Sequence, residues 1–516
     1  MAVISRRPVR FAITRASVLG AVVFCVALVA LVAIRSGSDP SRLSGQEAQR
    51  AALDSPEVRV MLVDGFTRVR TMPLDDTTVR VSFFDGSRAV AEAAVGRDGR
   101  IVGLIAHDGR HPRVGSEVGQ RPAVLLALIA LFLLATLRLP LLRRANLDAV
   151  ALAAVVVPIV LLNERYLEWS VLAASVLLAY LGLRCLAVAL GPADGEPARW
   201  MLDTVNTRGT AMLAGAAAAA LVLLAVPGGL VSDVGFASMA GATHLVEGSL
   251  PYGGLVPGEL VHGDTYPLFA YLAYVPAAVL RPVHDGFGSL DGALWVATGF
   301  ALAAALALGH AYGRRLAIAL LAFPPVMVAA SSGSNDAVAA AFMAGAVAFS
   351  ARAGASSAAV AVAGWVKLGP LAAVPLWVAR GPGRALAGVV AVTALLAVAI
   401  LAIGGPGGFA DMARAISFQS ERGSPMSIWA LVEVPALQLV FQAAVITGIV
   451  LLTVRVARDP AAADPRRMAA LGATVLLAVQ LAANHWSATY LAWVFPLVAV
   501  ALLAGARPSR SRAPAS

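Results

Sequence analysis

The sequence predicts an all-α polytopic membrane protein that carries a small extracytoplasmic domain after its first helix. Three observations support this fold class: hydrophobic residues make up 59% of the 516 residues, only 14% are charged, and the mean hydropathy is +0.79. Soluble domains contain about 25% charged residues and need that polar surface to stay in water. The composition therefore excludes a soluble enzyme. Cys25 and Cys185 are the only cysteines, which excludes a disulfide-rich scaffold.

The N-terminal part, residues 1–35, is predicted to be an anchor helix. An apolar stretch at 17–34 follows four arginines, namely Arg6, Arg7, Arg10 and Arg15. Positive residues stay on the cytoplasmic side, so the N-terminus should be cytoplasmic. No small-residue cleavage site follows, which favours an anchor over a signal peptide. The formal net charge of +10 has the same explanation, and it does not indicate nucleic-acid binding.

Residues 36–120 interrupt the apolar pattern and predict a small α+β or mostly β domain outside the cytoplasm. Segments 58–63, 78–83 and 100–105 alternate in the manner of short strands, and two Asp-Gly pairs predict turns between them. We identify no catalytic group here. The domain is instead a candidate surface for a protein partner.

Further apolar stretches predict additional transmembrane helices at 121–208, a transmembrane core at 209–506 and a basic cytoplasmic tail at 507–516. The chain would cross the plasma membrane about 13–14 times, with both termini cytoplasmic. The predicted spans include 266–281, 291–312 and 356–379. Strict alternation then puts Arg314 and Arg315 outside, against the positive-inside rule. Several Pro and Gly residues in this region indicate broken or re-entrant helices that would change the parity.

Lys367 is the most conspicuous polar residue, because it is the only lysine in the chain and lies in an apolar run before Gly369 and Pro370. An ammonium at membrane depth costs about 2.5–3.5 kcal/mol on insertion scales, and such residues usually mark a site. A cation there suits a phosphate. The alternative is a side chain that snorkels to the interface.

The other polar positions lie mainly between predicted helices. Asp233, just after a span, is a candidate general base or a solvated helix-terminal residue. Arg422 and His485 are candidate phosphate ligands, or else a solvated loop cation and a satisfied histidine in an aromatic belt. The remaining candidates for substrate binding are Tyr252, His262, Asp264, Tyr266, Asn335, Asp336 and Tyr490.

The order of these features resembles the C-type (GT-C) integral-membrane glycosyltransferases, and in particular glycosyltransferase family 87, over residues 231–505. The matching elements are Asp233, Gly248-Ser249-Leu250-Pro251-Tyr252, Tyr266-Pro267, Gly333-Ser334-Asn335, Lys367 with Pro370, Arg422-Gly423 with Ser427, and His485 to Tyr490. Each motif alone is weak, and their shared order carries the resemblance.

The resemblance implies an inverting transfer of a sugar, mannose in the type case, from a polyprenyl-phosphate donor to a glycolipid or cell-envelope glycan on the outer face. Asp233 would deprotonate the acceptor hydroxyl, while Lys367, Arg422 and His485 would stabilise the departing lipid phosphate. The lipid-linked sugar is the substrate, and neither a cofactor nor a metal is expected.

Two other functions fit the composition. The first is a transporter or flippase of lipid-linked intermediates, which shares the many helices and the buried lysine. The second is a non-catalytic membrane assembly protein that uses residues 36–120 to bind a partner. Internal hydropathy repeats, which are typical of transporters, are not evident in the sequence.

Overall fold

The computed structural model describes residues 43–62, 65–73, 78–85, 88–106, 116, 119, 121–143, 146–191, 199–253, 264–283, 290–421, 424–459 and 464–504. The expected anchor helix at 17–34 and the tail at 507–516 lie outside these residues.

The small domain consists of two helices followed by an antiparallel sheet in the order β1-β2-β3-β4. Its elements are α1 (Gly45–Asp54), α2 (Pro56–Met61), β1 (Arg68–Pro73), β2 (Thr78–Asp85), β3 (Arg88–Gly96) and β4 (Ile101–Ala106). Both helices pack on the sheet through Ala48, Ala52 and Val58, which meet Val81 and Phe83 in one apolar cluster. The predicted α+β domain is therefore present.

Two of the three predicted strands are confirmed, since β2 contains 78–83 and β4 covers most of 100–105. The strand predicted at 58–63 is wrong, because residues 56–61 form helix α2. Ser55 caps that helix by accepting the backbone N–H of Val58, and Pro56 occupies the first turn. Val58 is fully buried while Val60 is 74% exposed, although a strand would place both on one face. Strands β1 and β3 were not predicted.

The rest of the described chain is a helical bundle. Its long and medium helices are α3 (Pro122–Thr136), α4 (Asn146–Ala153), α5 (Val156–Asn163), α6 (Leu167–Leu190), α7 (Thr207–Ala225), α8 (Asp233–Val246), α11 (Asp291–Tyr312), α12 (Arg314–Leu321), α13 (Pro324–Ser331), α14 (Asp336–Ala348), α15 (Ala353–Val366), α17 (Pro382–Gly404), α18 (Gly407–Glu421), α20 (Pro435–Arg458), α21 (Pro465–Ala482) and α22 (Tyr490–Val498).

Short elements connect these helices. They are α9 (Leu268–Leu272), α10 (Val275–Leu280), α16 (Val374–Arg380), α19 (Ile428–Val432), two 3₁₀ turns (Met201–Thr204 and Gly369–Ala373), a π-helical turn after α22 (Ala499–Leu503) and a two-stranded ribbon of β5 (Arg138–Leu139) with β6 (Arg199–Trp200).

Six helices of the described part are long and apolar enough to cross a membrane, or seven if the bent pair α12 and α13 forms one span. Four shorter apolar helices, α3, α14, α15 and α22 with its π-helical turn, accompany them. These helices confirm the polytopic all-α class. The finer expectation of about 13–14 spans stays a prediction.

The bundle has two chemically different ends. We call one the arginine end, after Arg138, Arg315, Arg466 and Arg467, which all donate to backbone carbonyls there. We call the other the polar end, after segments 230–233 and 331–336. These two segments are tied together by backbone hydrogen bonds from Leu230 to Ser331 (3.0 Å) and from Ser232 to Ser332 (2.9 Å).

The structure explains the conflict between the predicted location of Arg314 and Arg315 and the positive-inside rule. Helix α11 starts at the polar end, where Ala293 lies against Gly333, and it finishes at the arginine end, where the Tyr312 hydroxyl donates to Val347. The expected span at 266–281 is wrong, because those residues form the two short helices α9 and α10, too short to cross. Tyr274 between them donates to the Gly333 carbonyl, so this segment stays at the polar end and the parity changes.

The small domain lies against the polar end of the bundle. Arg68 and Arg70 on β1 both reach Glu168 at the start of α6, at 2.7 and 3.3 Å between nitrogen and carboxylate oxygen. Arg70 also pairs with Glu433 at 3.4 Å. The sheet domain and the 331–336 turn therefore occupy the same side of the protein.

Candidate functional site

The segment around Lys367 is a helical hairpin that turns back inside the bundle. Helix α15 runs from the arginine end to Lys367, and the chain returns through the 3₁₀ turn and α16. The two limbs meet near their bases, where Trp377 donates its indole N–H to Ser356 (2.9 Å) and a Cβ at Gly381 would lie 3.5 Å from Ala353. The apolar run 356–379, expected to be one span, is thus folded in half.

Lys367 forms the tip of this hairpin and is only 8% exposed. Its ammonium nitrogen lies 3.5 Å from Asp336 Oδ1. The same nitrogen lies 4.5 Å from the ring centroid of Tyr266 and 5.4 Å from that of Tyr490. A carboxylate and two aromatic faces are the environment that makes a desolvated cation tolerable, so the snorkelling alternative does not describe this side chain.

Asp336 is the fixed partner in the pair. It begins α14 and is 1% exposed. Its Oδ1 accepts the indole N–H of Trp493 at 3.0 Å, and its Oδ2 accepts the Ser334 hydroxyl at 2.7 Å. These two hydrogen bonds, together with the ammonium, satisfy both oxygens and lock the rotamer. We call Asp336, Lys367, Tyr266, Tyr490 and Trp493 the lysine cluster.

Glycine makes the tight packing around the hairpin tip feasible. A Cβ at Gly369 would lie 3.0 Å from the ring of Trp493, and one at Gly364 would lie 2.3 Å from Leu371. The same Gly-Pro step ends α15 at Val366, because Pro370 cannot donate a helical N–H. The sequence Lys367-Leu368-Gly369-Pro370 therefore creates both the turn and the room for the indole.

Helix α8 connects Asp233 to the same region. Ser232 caps this helix by accepting the N–H of Gly235, and a Cβ at Gly235 would lie 2.7 Å from the Ser332 carbonyl. Further along, the Ser238 hydroxyl lies 3.5 Å from the amide nitrogen of Asn335. Helix α8 therefore packs directly on the turn that carries Asp336.

Asp233 itself is exposed at the first turn of α8, and its Oδ1 accepts the adjacent N–H of Val234 (2.8 Å). It precedes Ser238 by five residues, about 7.5 Å along a helix axis. The structure thus places Asp233 beside the 331–336 turn but shows no direct contact with Lys367. Asn335 lies deeper: it is fully buried, and its Oδ1 has no hydrogen-bond partner among the described residues.

His485 joins the cluster at its edge. Its ring centroid lies 6.0 Å from that of Tyr490, and its Nδ1 lies 2.7 Å from the Ser424 hydroxyl. The 424–428 loop is anchored beside it, since Trp486 donates its backbone N–H to Met426. His485 is thus held in place by a partner, and the predicted late His-to-Tyr element is one structural unit.

Tyr252 and Asp264 form a neighbouring group in the segment between α8 and α9. Asp264 Oδ2 accepts the N–H of Gly253 at 2.9 Å. The rings of Tyr252 and Tyr271 meet edge to face at 6.4 Å, and those of Tyr266 and Tyr271 at 6.5 Å. Burial, and secondarily Asp264, raises the pKa of the Tyr252 hydroxyl, which has no hydrogen-bond partner in the described part of the chain. Tyr266 links this aromatic group to Lys367.

Two of the expected site residues, His262 and Arg422, lie outside the described residues. Sequence reasoning in turn missed Trp493 and Ser238. Trp493 gave no signal, because an indole in an apolar helix is ordinary. Ser238 is one hydroxyl on a helix of small residues, and only its position after Asp233 could have drawn attention.

Within the residues that the structure describes, no group of three His, Cys, Asp or Glu side chains is placed to hold a metal ion. No protein-family model, no curated protein and no solved structure matches the chain.

Proposed function

We propose that the protein is an integral-membrane glycosyltransferase of the GT-C type, which transfers a sugar from a polyprenyl-phosphate donor to a glycolipid or cell-envelope glycan. The observation that carries the proposal is the lysine cluster. The only lysine of the chain lies at the tip of a hairpin inside the bundle, facing aromatic rings contributed by two other segments. Four of the expected site residues, Tyr266, Asp336, Lys367 and Tyr490, meet there.

The proposed chemistry uses the charge of this cluster. The acceptor hydroxyl attacks the anomeric carbon, the bond between that carbon and the phosphate oxygen breaks, and the hydroxyl proton passes to the Asp233 carboxylate. The polyprenyl phosphate leaves with one more negative charge. Lys367 would stabilise that charge, and His485 would assist from the edge. Asp336 balances the ammonium until the donor phosphate arrives, because an unpaired buried cation is costly.

The proposed topology puts the polar end outside the cytoplasm and the arginine end inside, as the positive-inside rule requires. The crossings of the described part would then be α3, α4 with α5, α6, α7, α11, α12 with α13, α14, α17, α20, α21 and α22. With the anchor helix these make about twelve rather than 13–14, with the hairpin as an additional re-entrant element and both termini in the cytoplasm.

The test is transfer of labelled mannose from polyprenyl-phosphate-mannose in membranes that contain the protein. Asp233→Asn should lower the rate about 10²–10⁴-fold, the usual contribution of a general base. Lys367→Met should lower it about 10²–10³-fold, and Lys367→Arg should retain more activity because it keeps the charge. Asp291→Asn is the matched control, since Asp291 is an exposed carboxylate paired with Arg281 away from the cluster. Full transfer by Asp233→Asn would remove Asp233 from its role as base.

One observation favours a second candidate, a transporter of lipid-linked intermediates. The buried Asp336–Lys367 ion pair is an arrangement also used to couple ion movement to transport. Reconstituted vesicles that move a polyprenyl-phosphate sugar between leaflets, without transferring the sugar, would favour this candidate over the enzyme.

A further inference from the structure

The arginine end contains a cluster of guanidinium groups that form no salt bridge within the part of the chain that the structure describes. Arg138, Arg315 and Arg466 donate to the carbonyls of Leu502 (2.7 Å), Leu503 (2.9 Å) and Ala501 (2.9 Å), the last turn after α22. Arg467 donates to the Gly191 carbonyl (2.9 Å) after α6. A helix C-terminus carries partial negative charge, so these contacts are favourable. Partial charges alone do not neutralise four full positive charges.

Three carboxylates among the described residues lie near the cluster, and each also has other hydrogen-bond partners. Asp148 is held bidentately by Arg184 at 2.8 and 3.0 Å. Asp203 accepts the backbone N–H of Trp200, and Asp464 accepts two N–H groups at the start of α21. Among the described residues, none of the four cluster arginines forms a salt bridge. Hydrogen bonds from backbone N–H groups leave the charges of Asp203 and Asp464 in place, so among the described residues four arginines face two such carboxylates and the excess is positive.

Trp200 brings two of these charges close together. The guanidinium carbon of Arg315 lies 3.3 Å from the centroid of the indole ring, and that of Arg138 lies 4.4 Å from it. Burial, and then the like charge of Arg466, lowers the pKa of the Arg138 guanidinium, so lost hydration is the larger cost there and repulsion between like charges adds to it. A cation–π contact contributes about 0.5–2 kcal/mol and does not cancel that repulsion. An anion between the guanidinium groups would.

Capping of the last helix does not use all of the donors. Each guanidinium has five N–H groups. Each of these four arginines donates from only one of its nitrogens to a carbonyl. Arg315 Nη1 and Arg467 Nε are buried without any hydrogen-bond partner among the described residues. Such donors cost free energy unless something accepts from them. A phosphate would supply acceptor oxygens for these donors, and its geometry suits bidentate binding by a guanidinium group.

We propose that the arginine end binds the phosphate of an anionic phospholipid headgroup, held by Arg138 and Arg315 on Trp200 together with the neighbouring Arg466. Basic pockets between transmembrane helices at the positive end of a bundle are a general form of headgroup site. A free phosphate ion presents the same chemistry, but a lipid is favoured because the cluster lies where the apolar helices end. This site is at the opposite end from the lysine cluster and does not depend on the proposed function.

The test measures thermal unfolding of the full-length protein in nanodiscs of phosphatidylcholine with increasing phosphatidylglycerol. We expect the Tm to rise by several degrees with the anionic lipid, and inorganic phosphate in pure phosphatidylcholine to raise it little. Arg315→Gln should lose at least half of the rise. Arg314→Gln is the matched control, because Arg314 is the exposed neighbour that donates to Thr207 instead, and it should keep the rise.

Several results would overturn the proposal. The first is an equal Tm in neutral and anionic discs. The second is an equal loss of the rise in Arg314→Gln and Arg315→Gln, which would indicate bulk charge only. A third is full stabilisation by inorganic phosphate alone, which would replace the lipid with a soluble anion. If Arg315→Gln does not fold, Trp200→Phe provides the second measurement: native mass spectrometry should show fewer retained phosphatidylglycerol molecules than in the parent protein, and equal retention would count against the site.

Discussion

Replacing Lys367 by methionine removes the ammonium but keeps the length and apolar character of the side chain. Asp336, 1% exposed, would then retain only the hydrogen bonds from Ser334 and Trp493. At 3.5 Å and an effective dielectric constant of about 20, the lost Coulomb attraction is roughly 5 kcal/mol. Breaking a buried pair by removing one partner typically costs about 3–5 kcal/mol, so we expect Lys367→Met to destabilise the protein by about 3 kcal/mol or more.

The matched variant is the double substitution Lys367→Met with Asp336→Asn. Asparagine is neutral, keeps one oxygen to accept from Trp493, and can donate its NH₂ to Ser334, whose hydroxyl can rotate. Removing both charges also removes the desolvation cost of each. The double variant should therefore recover most of the lost stability, while sugar transfer should stay low because the cation is missing.

The assay is a double-mutant cycle on the free energy of unfolding, measured in one detergent or lipid at one pH. We expect a coupling energy of about 2–3 kcal/mol between the two positions. A coupling below about 0.5 kcal/mol would show that the ion pair does not hold the hairpin tip and would refute the reasoning from its burial. Lys367→Arg tests charge alone: it should be less destabilised than Lys367→Met if the bulkier guanidinium fits.

Two further predictions concern packing. Gly235→Ala should destabilise the protein by about 1–3 kcal/mol, because the new Cβ would lie 2.7 Å from the carbonyl oxygen of Ser332. The control is Gly215→Ala, at a mid-helix position with open space, which should be neutral or stabilising by up to about 1 kcal/mol. Equal Tm values for the two variants would contradict the close packing of α8 on the 331–336 turn. Phe495→Ala should lower the free energy of unfolding by about 3–5 kcal/mol, since the Phe495 ring stacks on Phe323 with 4.3 Å between ring centroids. Chemical unfolding measures this change. A decrease below about 1 kcal/mol would show that neighbouring side chains fill the space left by the ring.

Hydropathy predicted the class of fold because it measures the property that membranes select. Hydropathy gave a wrong prediction where one apolar composition is compatible with two structures, a single span and a folded-back hairpin. The run 356–379 is apolar enough for one span, yet it forms a hairpin, and only the Lys-Leu-Gly-Pro sequence at 367–370 indicates the turn. The prediction of a span at 266–281 failed for a similar reason: Tyr271 and Tyr274 are fully buried in the protein, and Tyr271 lies against Gly241 of α8.

The site could be predicted in part from chemistry alone. A lone lysine and a buried Asn-Asp turn are costly in an apolar chain, so Lys367 and Asp336 stood out without any structure. Their pairing could not be deduced, because thirty residues and a complete helical crossing separate them. Trp493 could not be predicted, for the opposite reason. An indole in an apolar helix carries no free-energy cost that would single it out, and its role depends on the direction of a single N–H.

The folded-back α15–α16 segment has a consequence for biosynthesis. Both limbs have their bases at the arginine end and the tip lies beside Asp336 at the polar end, so under the proposed topology the two limbs enter the bilayer as a pair from the cytoplasmic side. Lys367 is then carried at the leading tip to the depth of the 331–336 turn. Asp336 is synthesised first and remains without its counter-ion until the hairpin enters, so the insertion of this segment and the neutralisation of that carboxylate are one event. A variant that stalls hairpin entry would leave the Asp336 carboxylate, at the start of α14, without its cation.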